Sequence, residues 1–216
     1  MEKCLLDINF EVVDGKLNCS YRNLTSLKGC PNSVTHLDCI DNKISSFKYI
    51  PDSVIHLSCG INNISSFEHL PNSVKMLNYS YNNISSFKHL PNSITELYCA
   101  NNNISSFKYL PNSITYLYCC ENNISSFKHL PNSITSLSCS ENPIYGKFQT
   151  MSLKEIHLEN YITNPILNHS ATVIQQAWDN YWYKPDITGE SKVAKYAYNK
   201  FIKRQRESED DPENKR

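Results

Sequence analysis

Ile84-Ser85-Ser86-Phe87-Lys88-His89-Leu90-Pro91-Asn92-Ser93-Ile94-Thr95 recurs almost letter for letter at 104–115 and again at 124–135. Altered copies begin at Ile44 and Ile64. The phase does not slip: Leu17, Leu37, Leu57, Leu77, Leu97, Leu117 and Leu137 follow one another at intervals of 20 residues. Self-similarity at a fixed short period marks a solenoid, so the period takes precedence over local propensity.

Each copy reads I-x-x-L-x-C-x-x-N-x-I-x-x-F-x-x-L-P-N-S. Leu97 and Cys99 are two apart and share one face of a strand, while Glu96, Tyr98 and Ala100 take the other. A lone strand of this kind has nothing to bury its apolar face against. Stacked in parallel, seven copies make a continuous core, closed on the far side by Ile94, Ile104, Phe107 and Leu110 and their equivalents. Pro51, Pro71, Pro91, Pro111 and Pro131 end each return segment. Proline fixes φ and disfavours helix before it, so the convex side is expected to be extended.

The unit resembles the leucine-rich repeat, L-x-x-L-x-L-x-x-N/C-x-L, with cysteine in the second strand position. The L-P-x-S-[IV] lead-in and the 20-residue length are similar to the short repeats of bacterial effector proteins; related arrays occur in large DNA viruses of protists. The resemblance covers residues 15–146. It implies a β-rich solenoid: a leucine-rich repeat array with a parallel concave sheet, an extended convex side and a C-terminal helical cap. It also implies an asparagine ladder, Asn42, Asn62, Asn82, Asn102, Asn122 and Asn142, bonding backbone groups at the turn. The first copy departs from it, with Arg22 at that place and Asn23 beside it.

Formal net charge is +0, so no global attraction to nucleic acid or to an anionic membrane is expected. No apolar run approaches the ~20 residues of a membrane span. The start, Met1 to Asp7, is too short and too acidic for a signal peptide, which predicts a cytoplasmic protein, in a host cell if it acts as an effector. The N-x-S/T sequons, such as Asn63-Ile64-Ser65, are by-products of the repeat.

Of nine cysteines, Cys19, Cys39, Cys59, Cys99, Cys119 and Cys139 share one column, with Tyr79 as the exception. That column faces the core, so these are read as small buried hydrophobes. The odd count and the expected reducing compartment argue against disulfides, and no C-x-x-C pair suggests a metal site. Cys120 falls on the outward side of its strand and is the thiol expected to be open to modification. No cofactor is expected.

Variation between copies is confined to the outward columns. One runs Lys16, His36, His56, Met76, Glu96, Tyr116, Ser136; the next runs Asn18, Asp38, Ser58, Asn78, Tyr98, Tyr118, Ser138. A third, past the strand, runs Tyr21, Asp41, Ile61, Tyr81, Asn101, Glu121, Glu141. An invariant frame with diverse side chains on one face suits binding. Met76, Tyr81, Tyr98, Tyr116 and Tyr118 form the richest patch and are the candidate partner-binding residues, because tyrosine and methionine supply large area with a polar or adaptable tip. His36 and His56 with Asp38 could hold zinc, but solvated polar residues are the simpler reading.

At the ends, residues 1–14 are expected to form a strand-like cap, with Ile8, Phe10, Val12 and Val13 alternating with polar residues. Residues 147–165, with Leu153, Ile156, Leu158 and Ile162, look like a divergent terminal repeat. Residues 166–206 carry two amphipathic helical patterns, capping the array or docking a second protein, and 207–216 a charged tail expected to be disordered. Around Ile174-Gln175 the chain resembles the start of an IQ motif, which implies a calmodulin-like partner, but Asp179-Asn180 replaces the basic Arg-Gly pair. Functionally, the reading is a non-catalytic module binding a protein partner on its concave face. One alternative is an adaptor whose C-terminal helices take a second, calmodulin-like or anionic partner. Another is ubiquitin transfer, disfavoured because no cysteine follows Cys139.

Overall fold

The computed structural model describes residues 2–163. Seven strands follow one another at the repeat spacing: β1 (Lys16–Asn18), β2 (His36–Asp38), β3 (His56–Ser58), β4 (Met76–Asn78), β5 (Glu96–Tyr98), β6 (Tyr116–Tyr118) and β7 (Ser136–Ser138). They form one parallel sheet in sequential order. The register is that of the repeat, with Leu77 beside Leu97 and Leu97 beside Leu117. Two parallel strands cannot be joined by a tight hairpin. Each copy therefore winds once round and returns one strand further on.

The leucine and cysteine columns, the isoleucines that follow them and the phenylalanines of the return segments are all buried. Identical residues meet in identical poses: Phe47 stacks on Phe67 at 6.3 Å and 6°, and Phe107 on Phe127 at 6.4 Å and 4°. Full burial of one such side chain contributes about 1.5–3 kcal/mol. Tyr79 replaces cysteine in its column and packs edge-on against Phe67 at 5.1 Å. Its hydroxyl is buried and makes no properly formed hydrogen bond. Burial, with the Cys99 thiol beside it, pushes the phenol well above its ordinary range.

The asparagine ladder is present. The Asn62 side-chain oxygen accepts from the Ile44 amide at 2.9 Å, and its Nδ2 donates to the Cys39 and Cys59 carbonyls at 3.0 and 3.1 Å. Asn42 reaches back in the same way, accepting from Leu24 at 2.8 Å and donating to Cys19 at 3.0 Å. Each asparagine thus completes the copy before its own.

The convex side is free of helix, as the prolines imply. Two turns shape it in each copy. The Ile50 amide bonds the Phe47 carbonyl at 3.0 Å, and the Val54 amide bonds the Pro51 carbonyl at 3.1 Å. In the first turn Tyr49 has φ 84°, and His69, His89, Tyr109 and His129 repeat this left-handed backbone, the signature of a type II turn. In the first copy Gly29 takes the place, at φ 95°. A Cβ there would lie 2.6 Å from the exposed Leu6 side chain, which would have to shift, and the positive φ itself favours glycine.

The N-terminal cap differs from the expected alternating strand. A single 3-10 turn, Leu5–Asp7, inserts a fully buried Leu5. The Leu5 amide bonds the Lys28 carbonyl at 3.1 Å, and Thr25 and Lys3 exchange backbone and hydroxyl bonds. Strand character is limited to an antiparallel bridge between Val13 and Lys16, with Val13 54 % exposed. One deeply set leucine does the covering that the alternating residues were expected to do.

Residues 147–165 add no eighth strand among those described. α1 (Tyr145–Phe148) and α2 (Leu153–Thr163) occupy this stretch. Pro143 explains the break. In earlier copies Asn63, Asn83, Asn103 and Asn123 each donate an amide to the isoleucine carbonyl one copy back, at 2.8–2.9 Å. Pro143 has no amide hydrogen, and the Ile144 amide takes the Ile124 carbonyl instead at 2.9 Å. Beyond it, Leu153, Ile156, Leu158 and Ile162 fit helical spacing rather than strand alternation. The described residues from Lys154 belong to a unit separate from the repeat array. The two helical patterns of 166–206, the IQ-like segment at Ile174 and the charged tail lie outside the described residues. No described helix is long and apolar enough to cross a membrane.

Candidate partner-binding face

In every strand from β2 to β6 the central leucine is buried and its two neighbours are half-buried on the opposite face. In-register pairing sets residue i beside residue i+20. Strands about 4.8 Å apart therefore lay the outward columns on a ribbon roughly 35 Å long.

Three of the five candidates touch. The Tyr98 ring lies 5.2 Å from Tyr116 at 40° and 6.4 Å from Tyr118 at 35°. The three rings form one tilted, half-buried cluster. Burial raises the Tyr98 pKa, with Tyr116 and Glu96 adding to it. Hydrogen bonding with the Cys120 thiol is the leading cause of the rise at Tyr118, and Tyr81 is close enough to contribute. Both rises favour the neutral phenol at Tyr98 and Tyr118. Tyr81 stands just past β4 with φ 58° and is 51 % exposed. Met76 lies apart: it is in register with Glu96, and Glu96 in turn with Tyr116.

Cys120 corrects the reading made from strand parity. It is on the outward side, yet only 3 % exposed. The Ser140 hydroxyl donates to its sulfur at 3.0 Å, and Tyr118 reaches it from its own strand. It belongs to a column the sequence reading passed over: Ser20, Ile40, Gly60, Ser80, Ala100, Cys120 and Ser140. These mostly small residues line the floor beneath the larger ones. A Cβ on Gly60 would sit 3.1 Å from the Ser80 carbonyl. The smallness of all but Ile40 was the available signal.

All nine cysteines are free. Burial pushes the Cys19 and Cys99 thiols up to about 12 and the Cys30 and Cys139 thiols up to about 11. Thiolate, the reactive form, is correspondingly scarce.

His36 and His56 stack, with ring centroids 4.4 Å apart at 18°. Burial lowers the His36 pKa, and His56 and Lys16 lower it further. The Thr35 hydroxyl contacts His36 Nδ1 at 3.0 Å. Asp38 turns elsewhere, accepting from the Ser20 hydroxyl at 2.7 Å. Two parallel imidazoles and a diverted carboxylate do not converge on a point. Among the described residues no three such groups gather as a metal site.

A parallel solenoid with an inward leucine face and an asparagine ladder is the leucine-rich repeat fold, here with 20-residue turns. Among solved structures the chain is similar to YopM from Yersinia enterocolitica WA-314, with 26% identity over 59% of this chain and a TM-score of 0.53. It spans 29% of the length of that YopM chain. A Shigella effector leucine-rich repeat domain matches at 23% identity over 71% of this chain and 77% of its own, with a TM-score of 0.47. The functional domain of InlJ from Listeria monocytogenes matches at 22% identity over 60% of this chain and 35% of its own, with a TM-score of 0.44. No protein-family model and no curated protein matches the chain.

Proposed function

We propose that this protein is a non-catalytic interaction module that holds a protein partner on the concave face of its repeat sheet. The observation that carries the reading is the contact cluster of Tyr98, Tyr116 and Tyr118 on a backbone frame that hardly varies. The inward columns repeat because packing demands it. The outward columns are under no such demand, yet three aromatic side chains meet there on two adjacent strands. Such rings bring large contact area at small entropic cost and concentrate at the energetic centres of interfaces. A ribbon roughly 35 Å long can accommodate a standard interface of about 800 Å² per partner. Affinity capture from host-cell lysate tests this. The Tyr98→Ala/Tyr116→Ala/Tyr118→Ala variant keeps its fold, because all three side chains lie outside the core, and is expected to lose the captured protein. Undiminished capture by the triple variant would place the partner elsewhere.

A further inference from the structure

The outward columns of the concave face carry mixed charge at one end and only acidic charge at the other. At the β1–β3 end the outward columns carry Lys16, His36 and His56 together with Asp38 and Asp41. Over β4–β7 they carry Glu96, Glu121 and Glu141, with no lysine or arginine in the strands or in the three residues after each. The nearest cation in sequence, Lys75, precedes β4 and lies outside these columns. The carboxylates flank the aromatic cluster: Glu96 acts on Tyr98, and Glu121 acts on Tyr118. Glu121 is held in place by the Asn101 side-chain amide, which donates to it at 2.9 Å.

An open aromatic face attracts a cation through the ring quadrupole when the cation comes within ~6 Å of the centroid. The protein already uses this contact on its convex side, where Lys48 lies 5.1 Å from the Tyr49 centroid and Lys108 lies 4.8 Å from that of Tyr109. Among the described residues, no cation stands over Tyr98, Tyr116 or Tyr118. Tilted, electron-rich rings beside carboxylates that meet no lysine or arginine among the described residues are complementary to one kind of side chain. A guanidinium is planar, stacks on an aromatic face and can pair a carboxylate through two parallel N–H groups.

From this geometry we infer that the β4–β7 end of the concave face docks an arginine-bearing segment of the partner protein. A guanidinium lies against Tyr98 and Tyr116, and a second positive charge is placed for Glu121. This rests on the concave-face reading above and names the chemistry of what fills that face. The β1–β3 end carries Asp38 and Asp41 but has no tyrosine cluster to receive the guanidinium. Partner selection then comes from the carboxylates, and contact area from the rings.

The test uses the full chain and three fluorescent Gly/Ser peptides of equal length, carrying arginine, citrulline or glutamate at matching positions. Citrulline keeps the shape of arginine and removes its charge. Fluorescence anisotropy is expected to show the arginine peptide bound at least about tenfold more tightly than the citrulline peptide, and the glutamate peptide unbound. Tyr98→Ala should abolish that binding. Glu96→Gln combined with Glu121→Gln should weaken it about tenfold and remove most of its salt dependence. Equal binding of arginine and citrulline peptides, no arginine binding, or indifference to these substitutions would overturn the inference. The two failures are separable. If the native partner is captured by wild type and lost by the tyrosine triple variant, but no arginine peptide binds, the face reading stands and the arginine chemistry falls. If capture survives the triple variant, the face reading falls with it.

Discussion

Replacing Asn122 by alanine separates the structural work of the ladder from mere repetition of a letter. The Asn122 oxygen accepts from the Ile104 amide at 3.0 Å. Its Nδ2 donates to the carbonyls of Cys99, Cys119 and Cys120 at 2.9, 3.2 and 3.0 Å. These losses are unequal. The Cys119 carbonyl keeps the Asn142 amide at 2.8 Å, and the Cys120 carbonyl keeps the Asn101 backbone amide at 3.0 Å. The Cys99 carbonyl is left with a longer bond from Asn102 at 3.3 Å. The Ile104 amide, on a fully buried residue, is left with nothing. One orphaned buried donor costs about 1–3 kcal/mol and one weakened acceptor somewhat less. The sum is about 2–4 kcal/mol, a large part of the 5–15 kcal/mol that holds a typical domain. Urea denaturation followed by circular dichroism measures it, with exposed Ser125→Ala as the control expected to stay within about 0.5 kcal/mol. Stability in a repeat array is transmitted only between neighbours. Damage in the sixth copy is therefore also expected to broaden the transition. A loss below about 1 kcal/mol would show that water replaces the side chain and that the ladder is not what satisfies these backbone groups.

Ile61 is β-branched yet sits at φ 54°, a left-handed backbone that costs ordinary residues about 1–2 kcal/mol; Ile61→Asn is expected to raise the urea midpoint, and a lowered midpoint would mean that packing of Ile61 outweighs its strain. Tyr79→Phe removes a buried hydroxyl without a well-made partner and should stabilise the protein by up to about 1 kcal/mol; a clear loss of stability would reveal a bond to the Cys99 sulfur that matters. Cys4 and Cys30 are half-buried and the other seven thiols buried, so titration with an aromatic disulfide should find at most two fast thiols in the native protein and nine after denaturation. Burial raises the thiol pKa values, so the slow class should speed up only as pH climbs toward about 11–12 or as the chain unfolds. Rapid labelling of Cys120 at neutral pH would contradict its placement under Tyr118 and Ser140.

The period made the sheet legible because equal residues at equal spacing can satisfy each other only in register. Leu77 beside Leu97 and Phe107 over Phe127 follow from repetition alone. What escaped the sequence depends on residues that do not repeat. Strand parity places Cys120 outside; its burial comes from a tyrosine and a serine whose reach parity does not describe. The alternation of Ile8, Phe10 and Val12 suggested a strand, but the end of a stack is covered by depth of insertion, and Leu5 has it. The terminal helices were hidden by apolar residues that fit a degraded repeat almost as well as a helix. Pro143, lacking one hydrogen, marks the change. At the candidate face, column comparison identified the tyrosines but gave no weight to the carboxylates beside them, because charge acts across columns.

The side-chain oxygens of Asn62, Asn82, Asn102, Asn122 and Asn142 all reach backward, accepting from an isoleucine amide of the copy made before. During synthesis the newest copy therefore emerges with an unanswered backbone amide, which stays so until the next twenty residues leave the ribosome. The array should solidify one copy behind the growing end, like a zipper whose slider trails the cloth. At Ile144 the wait ends differently, since the amide that would need another asparagine turns to the Ile124 carbonyl that Pro143 leaves free. The growing stack is thus told where to stop by an imino acid.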